Sequence, residues 1–508
     1  MVTPRGSLHS KRRRIANAVA PLAAFLCAAG ASAQEQADYY RAVTFEPPPG
    51  MQLEASGLAV LPDGRLAVAI RRGEIWILEH PLAEPATAAN VGYKRFATGM
   101  HEVLGLTWHA GALYATQRSE VTRLRDVDGD GVADEYLLAA GGWGVSGAYH
   151  EYAYGPAFDA AGNAFTTLNC SMGDKWPGAG DEARQTLWRG WCVMTPPGGR
   201  TQPWCAGFRS PCGIGTSADG EIFVTDQQGN WFGTNPLLHV RKGAFFGHAD
   251  SLADTARPDS PVKDPGKLPQ EITVVQAARQ VPGYCLPAVW FPYMKMGQSP
   301  TGLHADMTGG KFGPFAGQLF VGEFVHSGVN RVFLEKIGGE YQGACFPFVS
   351  GLQSAALSVN FLTDGSLIVG QSNRGWNSYG DRGFGLQRLV WTGRTPLEVE
   401  KMEALADGFR FTFTLPIDPA CLGRAEDFHG QSYTYLYHSK YGSPEVDARP
   451  LQFTAATLSA DHRSLVVRCA DLRAGYVHEI ELPALKSEKA EPLWHRQSYY
   501  TLNRRPTP

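Results

Sequence analysis

The residues able to do chemistry in this chain stand in short loops that share one phase of a recurring strand pair. They are His101-Glu102, Tyr149-His150-Glu151, Phe208-Arg209-Ser210, Lys295 with Gln298-Ser299, and Gln353-Ser354; Arg374, Trp376 and Arg382 follow the last copy. His150 is the candidate general base, because an imidazole changes charge nearest to neutral pH. Arg209, Lys295, Arg374 and Arg382 supply positive charge, Ser210 a hydroxyl and Trp376 a ring face. That mixture suits an anionic or polyhydroxylated ligand. Taken singly, such residues more often only tie a loop together. Their common phase is what makes them a candidate site.

A second pattern is Asp126-Val127-Asp128-Gly129-Asp130-Gly131, followed by Asp134. Carboxylates at alternate positions before a glycine turn match the start of a calcium loop, so Asp126, Asp128, Asp130 and Asp134 are candidate Ca2+ ligands. The twelfth position is Leu137, where a calcium loop carries Glu, and a solvated acidic hairpin is the alternative. Gly142 to Gly147 spells G-x-G-x-x-G but does not join a strand to a helix, so a nucleotide is not implied. Walker A, H-E-x-x-H and G-x-S-x-G strings are absent.

The strand pairs that position these loops recur six times. The copies begin at Gly57, Gly105, Tyr154, Gly213, His304 and Ser358, each an apolar strand, a turn of the Asp-Gly kind and a second apolar strand. The first three starts are spaced by about 50 residues, the length of a four-stranded blade. The expected fold is therefore all-β: a six-bladed β-propeller over residues 34–393, with 235–300 as a loop insertion. In a propeller, residues before the innermost strands converge at one mouth of the central channel. After Trp391-Thr392-Gly393 the pattern gives way to short alternating strands, expected to form a small antiparallel β-sandwich-like domain over 394–508.

The N-terminal 33 residues read as a signal peptide: Lys11 to Arg14, an apolar run from Ala18 to Gly30, and Ala31-Ser32-Ala33 before the cut. Export to the periplasm or outside the cell is expected, by the general or the twin-arginine route. No later stretch is long and apolar enough to span a bilayer. A net charge of −3 without a basic block argues against nucleic acid. Eight cysteines remain after the cut, which in an oxidising compartment suggests disulfides, with Cys421–Cys469 the favoured pair.

Several strings resemble the soluble quinoprotein glucose/sorbosone dehydrogenases. These are Gly207-Phe-Arg-Ser-Pro-Cys-Gly-Ile before Asp219-Gly-Glu-Ile-Phe-Val-Thr-Asp, and His150 ahead of Tyr154-Gly-Pro-Ala-Phe-Asp. Asn373-Arg-Gly-Trp, Leu386-Gln-Arg-Leu-Val-Trp-Thr-Gly, Tyr441-Gly-Ser-Pro-Glu and Tyr500-Thr-Leu-Asn resemble a bacterial branch of secreted "membrane-bound dehydrogenase-like" propellers. The resemblance implies pyrroloquinoline quinone (PQQ) as cofactor. Arg209, Ser210, Lys295, Arg374, Trp376 and Arg382 would hold it, His150 would take the hydroxyl proton of a sugar or polyol, and a soluble acceptor would remove the electrons. Ser210 departs from the family's Asn. Two other readings stand beside this one. One is a carbohydrate-binding scaffold without redox chemistry. The other is a calcium-dependent lactonase using Glu102, Glu323 and Asn360.

Overall fold

The computed structural model describes residues 36–171, 186–373 and 375–507. Its strands form a propeller-like all-β fold dominated by four-stranded antiparallel sheets. The first sheet runs from Ala55–Val60 out to Tyr93–Ala97, the second from Leu106–His109 to Glu135–Gly141, and the third from Ala153–Phe158 to Gln202–Ala206. The fourth runs from Gly213–Thr216 to Val289–Phe291, and a fifth run of strands from Pro300–Ala305 to Glu340–Val349. The last begins at Ala356–Phe361 and is completed by the N-terminal strand Tyr40–Thr44, which pairs with Phe384–Trp391. Each repeat copy seen in the sequence falls on the first two strands of one of these units.

Two features of the repeat have direct physical causes. Gly64, Gly220 and Gly365 of the Asp-Gly turns have φ of +88°, +88° and +94°, a conformation that costs glycine nothing. The glycines that open the copies let the first strands of neighbouring sheets approach closely. A Cβ on Gly105 would lie 1.9 Å from Gly155 O, and one on Gly213 2.0 Å from Thr301 O. The first strands pack side by side in chain order, and the last packs against the first. Apolar clusters fill the space between successive sheets, for example Ala67, Ile75, Leu113 and Leu124 between the first two.

Residues 235–300 are not a pure loop insertion. Asn235–His239 and Val289–Phe291 are the third and fourth strands of the fourth sheet, and the inserted part between them carries helix Val274–Gln280 with a Thr273–Gln276 capping box. Prolines and charges in this stretch masked two short strands. After residue 394, Val399–Leu405, Gly408–Phe413, Ser464–Cys469 and Phe453–Leu458 form a further four-stranded sheet. Gln497–Leu502, Tyr476–Glu481, His429–Thr434 and Val446–Pro450 continue the fifth unit into one eight-stranded sheet, through Gly343↔Thr501 pairing, while Leu436–Tyr437 pairs with Ile272–Thr273. Phe409, Phe411, Leu465, Ile480, Tyr500 and Phe346 share the core between these two sheets. Buried Arg331 fastens the join, donating to Val399 O at 2.6 Å and Glu400 O at 3.0 Å.

All eight cysteines among the described residues are free thiols. Cys421, expected to pair with Cys469, instead places its sulfur 3.0 Å from Asp418 O and 3.1 Å from Lys486 N. Among the described residues no helix is long and apolar enough to cross a membrane. The segment read as a signal peptide lies outside the described residues.

Candidate functional site

The first strands surround an axial channel with a cavity at each end. One, of about 520 Å3, is lined chiefly by residues of the first strands, from Ser56 to Asn360. The other, of about 460 Å3, is lined by loop residues that include His150, Arg209, Ser210 and Trp376. Leu104, Tyr154, Cys212 and Leu357 line both and form the partition. The Tyr154 hydroxyl and Cys212 thiol are hydrogen-bonded there, and burial raises the pKa of both.

His150 is only 8% exposed. Its Nδ1 lies 3.0 Å from the carbonyl oxygen of Cys170. A carbonyl can only accept, so Nδ1 carries the proton and Nε2 is the basic nitrogen. Burial, and then the Arg209 charge, lower its pKa to about 3, so the ring is neutral at pH 7. Glu151, beside it in the sequence, is scaffolding. Its carboxylate accepts from Ser146 N at 2.5 Å, Ser146 Oγ at 3.0 Å and Ser171 Oγ at 2.5 Å. Arg118 completes the support, donating to the carbonyls of Ala148, Tyr149 and Glu151.

Asp226, at the end of strand Ile222–Thr225, fixes the Arg209-Ser210 loop. It accepts from the backbone N–H groups of Arg209 and Ser210, both at 2.8 Å, and of Gln227 at 2.6 Å. Burial raises its pKa from 3.8 to about 6 against these hydrogen bonds. The Arg209 side chain is 5% exposed, yet its Nε has no hydrogen-bond partner. Among the described residues Arg209 forms no salt bridge. Its guanidinium lies over Gly229, where a Cβ would meet Nε at 1.9 Å, and 5.3 Å from the Tyr441 ring centre. Ser210 Oγ accepts from Asn169 Nδ2 at 3.3 Å, while Asn169 Oδ1 is unpartnered.

The structure therefore brings His150, Arg209, Ser210 and Trp376 to one cavity and leaves two of the expected cations out. Met294 at φ +66° and Gly297 at φ +114° make a tight turn that sends Lys295 to Glu445 at 2.8 Å and Glu479 at 2.6 Å. Arg382 is exposed and does not line the cavity. Arg374 lies outside the described residues. The lactonase set does not converge either. Glu102 binds Arg71 and Arg118. Glu323 accepts from Gln298 N and Ser299 N, and Asn360 Nδ2 donates to Leu58 O. Asp126, Asp128 and Asp130 do gather, with ligand atoms within 4.8 Å of one another. Asp134 stands apart, closing the loop by accepting from Val127 N at 2.7 Å. Elsewhere Cys170, His248 and Asp250 form a comparable trio behind His150.

Arg71, Asn169, Gln227 and Gln228 also line the cavity and were not foreseen. Each follows the second strand of a repeat copy, the other end of the same hairpin, which supplied a readable phase. Arg71 donates to Glu102 Oε1 at 3.1 Å and to the Tyr152 hydroxyl at 3.2 Å. Tyr441 comes from beyond residue 394, where no repeat marks it.

No known protein-family profile matches the chain, and no curated protein matches its sequence. Solved structures of similar shape include a putative oxidoreductase (glucose dehydrogenase) from Thermus thermophilus, 20% identical, covering 69% of this chain and 100% of its own, with a TM-score of 0.46. The soluble aldose sugar dehydrogenase of Escherichia coli is 16% identical over 69% of this chain and 99% of its own, with a TM-score of 0.46. The PQQ-bound aldose sugar dehydrogenase of Streptomyces coelicolor is 15% identical over 70% and 98%, with a TM-score of 0.43.

Proposed function

We propose that this chain is an exported six-bladed β-propeller with a sandwich-like C-terminal unit that oxidises a hydroxyl of a sugar or polyol with PQQ. The observation that carries this reading is the pairing in one cavity of a buried, neutral His150 with a buried Arg209 that has no ion-pair partner among the described residues. A buried guanidinium with an orphaned N–H is suited to an anionic oxygen. Gly229 keeps the space it needs. Arg209 and Ser210 would hold a quinone or carboxylate oxygen of the cofactor, and the half-buried Tyr152 lies in the same cavity beside the space its ring system would take. When bound, PQQ supplies a two-electron acceptor for hydride. His150 would take the hydroxyl proton at Nε2, with Nδ1 held by Cys170 O so that the ring keeps one tautomer. A soluble acceptor would then remove the electrons. The Asp126–Asp130 cluster would bind Ca2+ as a structural staple in the second sheet, away from this chemistry.

The carbohydrate-binding scaffold is the second reading, favoured by the diversion of Lys295 and Arg382 from the cavity. One experiment separates the two. The mature chain is titrated with PQQ and its absorption followed, then aldoses and polyols are added. A bound-quinone spectrum that bleaches with a sugar in the native chain, and persists unbleached in His150→Gln, supports the dehydrogenase. Failure to bind the quinone at micromolar concentration rejects it.

A further inference from the structure

Six aromatic side chains are exposed among the described residues: Tyr136, Tyr149, Tyr293, Trp376, Tyr379 and Tyr441. Five of them stand at a single place. Tyr149, Tyr293, Trp376 and Tyr441 line the mouth of the His150 cavity, and Tyr379 is an electrostatic neighbour of Tyr293. The Tyr149 hydroxyl reaches across to the turn that carries Trp376, ending 3.0 Å from where a Cβ on Gly375 would sit. Tyr379 stacks on His326 at 5.0 Å, and Tyr441 closes the arc over Arg209.

Large apolar faces left in water cost stability, so a cluster of them around one cavity mouth marks a binding surface. His150 is 8% exposed, against 45% for Tyr149, 60% for Trp376 and 66% for Tyr441. A single sugar residue reaching His150 leaves the outer rings uncovered. Tyrosine and tryptophan combine a flat apolar face with a polar edge, which matches a pyranose ring with its axial C–H face and its rim of hydroxyls.

Resting on the functional reading only for which end of the channel is the active one, we infer that the substrate is an oligosaccharide. Its terminal residue enters toward His150, and the residues behind it stack on the aromatic arc. The C-terminal unit takes part in recognition through Tyr441.

The test is binding to the mature chain without quinone. Methyl glycosides of gluco-oligosaccharides, β-1,4- and α-1,4-linked, and of xylo-oligosaccharides, one to four residues long, are titrated by calorimetry and tryptophan fluorescence. In at least one series affinity is expected to rise about tenfold from one residue to four. That gain should be lost in Trp376→Ala and Tyr441→Ala, with unfolding temperatures unchanged because both side chains are exposed. Affinity independent of length, or no binding in any series, overturns the inference even if monosaccharides are oxidised. So does a result in which the two variants impair only electron transfer to a protein acceptor, which would make the arc a protein-docking surface. Length-dependent binding without quinone-dependent oxidation would keep this inference and reject the dehydrogenase.

Discussion

Replacing Asp226 by Asn should weaken ligand binding at a pH where stability is unchanged, with a pH signature in the stability difference. Asp226 is fully buried, and its pKa rises from 3.8 to about 6 although three backbone N–H groups favour the ionised form. In the unfolded chain it ionises near the lower value, in the folded chain near the higher. Between them the folded state holds more protons, so this group's contribution to stability falls as pH rises through about 4 to 6. The rise corresponds to about 3 kcal/mol at full ionisation. Asn carries no charge to desolvate, so Asp226→Asn should gain about 3 kcal/mol relative to the native chain between about pH 4 and about pH 7. Against this, its amide nitrogen cannot accept from Arg209 N or Ser210 N, and an unsatisfied buried donor costs about 1–3 kcal/mol at every pH. The two effects should nearly cancel at pH 7 and leave the variant weaker at pH 4. Urea unfolding of both chains across that range measures the difference. A difference that stays flat within about 1 kcal/mol would refute the assigned burial penalty. Because the loop that aims Arg209 loses an anchor, anion affinity should fall about tenfold even at pH 7, where stability is matched.

Four further outcomes are expected. His150→Gln should cut sugar oxidation by about 10²–10⁴-fold while leaving quinone affinity within a few-fold, and the native acid limb should lie well below pH 6.5, following the pKa of about 3; a limb near 6.5 would mean the ring is not buried in the working enzyme. Gly229→Ala should displace the Arg209 guanidinium, 1.9 Å from the new Cβ, and lower quinone affinity more than it lowers the unfolding temperature, both readable in one thermal-shift titration. Cys192 and Cys205 face each other across strands Trp191–Thr195 and Gln202–Ala206, their thiols hydrogen-bonded, so oxidative refolding should remove two thiols from the count, and Cys205→Ala should abolish that loss. Calcium should raise the unfolding temperature of the native chain and not of Asp128→Asn, with terbium luminescence reporting occupancy; equal shifts in both would leave the loop an acidic hairpin.

The repeat was legible because its causes are local. An Asp-Gly turn needs a left-handed glycine, and the opening glycines are forced by backbone approaches such as Gly105 to Gly155, so each copy carries its own signature in a few residues. The copies also set a phase, and phase was enough to place His150, Arg209 and Ser210 at one mouth, where Trp376 joins them from the loop after the last copy. It failed where a side chain's direction depends on a single turn. Lys295 has the right position and charge, but the Met294–Gly297 turn hands it to Glu445 and Glu479 of the C-terminal unit. That unit could not be anticipated as a neighbour, because the pairing of Gln497–Leu502 onto Glu340–Val349 joins residues about 160 apart with no repeat to relate them. A separate contact, the bridge between Asn230 and Tyr441 with Gly442 N donating to Gly229 O, brings Tyr441 over Arg209. Two contacts with the C-terminal unit therefore withdraw a cation from the cavity and supply an aromatic wall in its place. A change of this kind, less charge and more ring surface, favours a neutral, extended ligand at the mouth and leaves the buried Arg209 as the principal anion-binding group among the described residues.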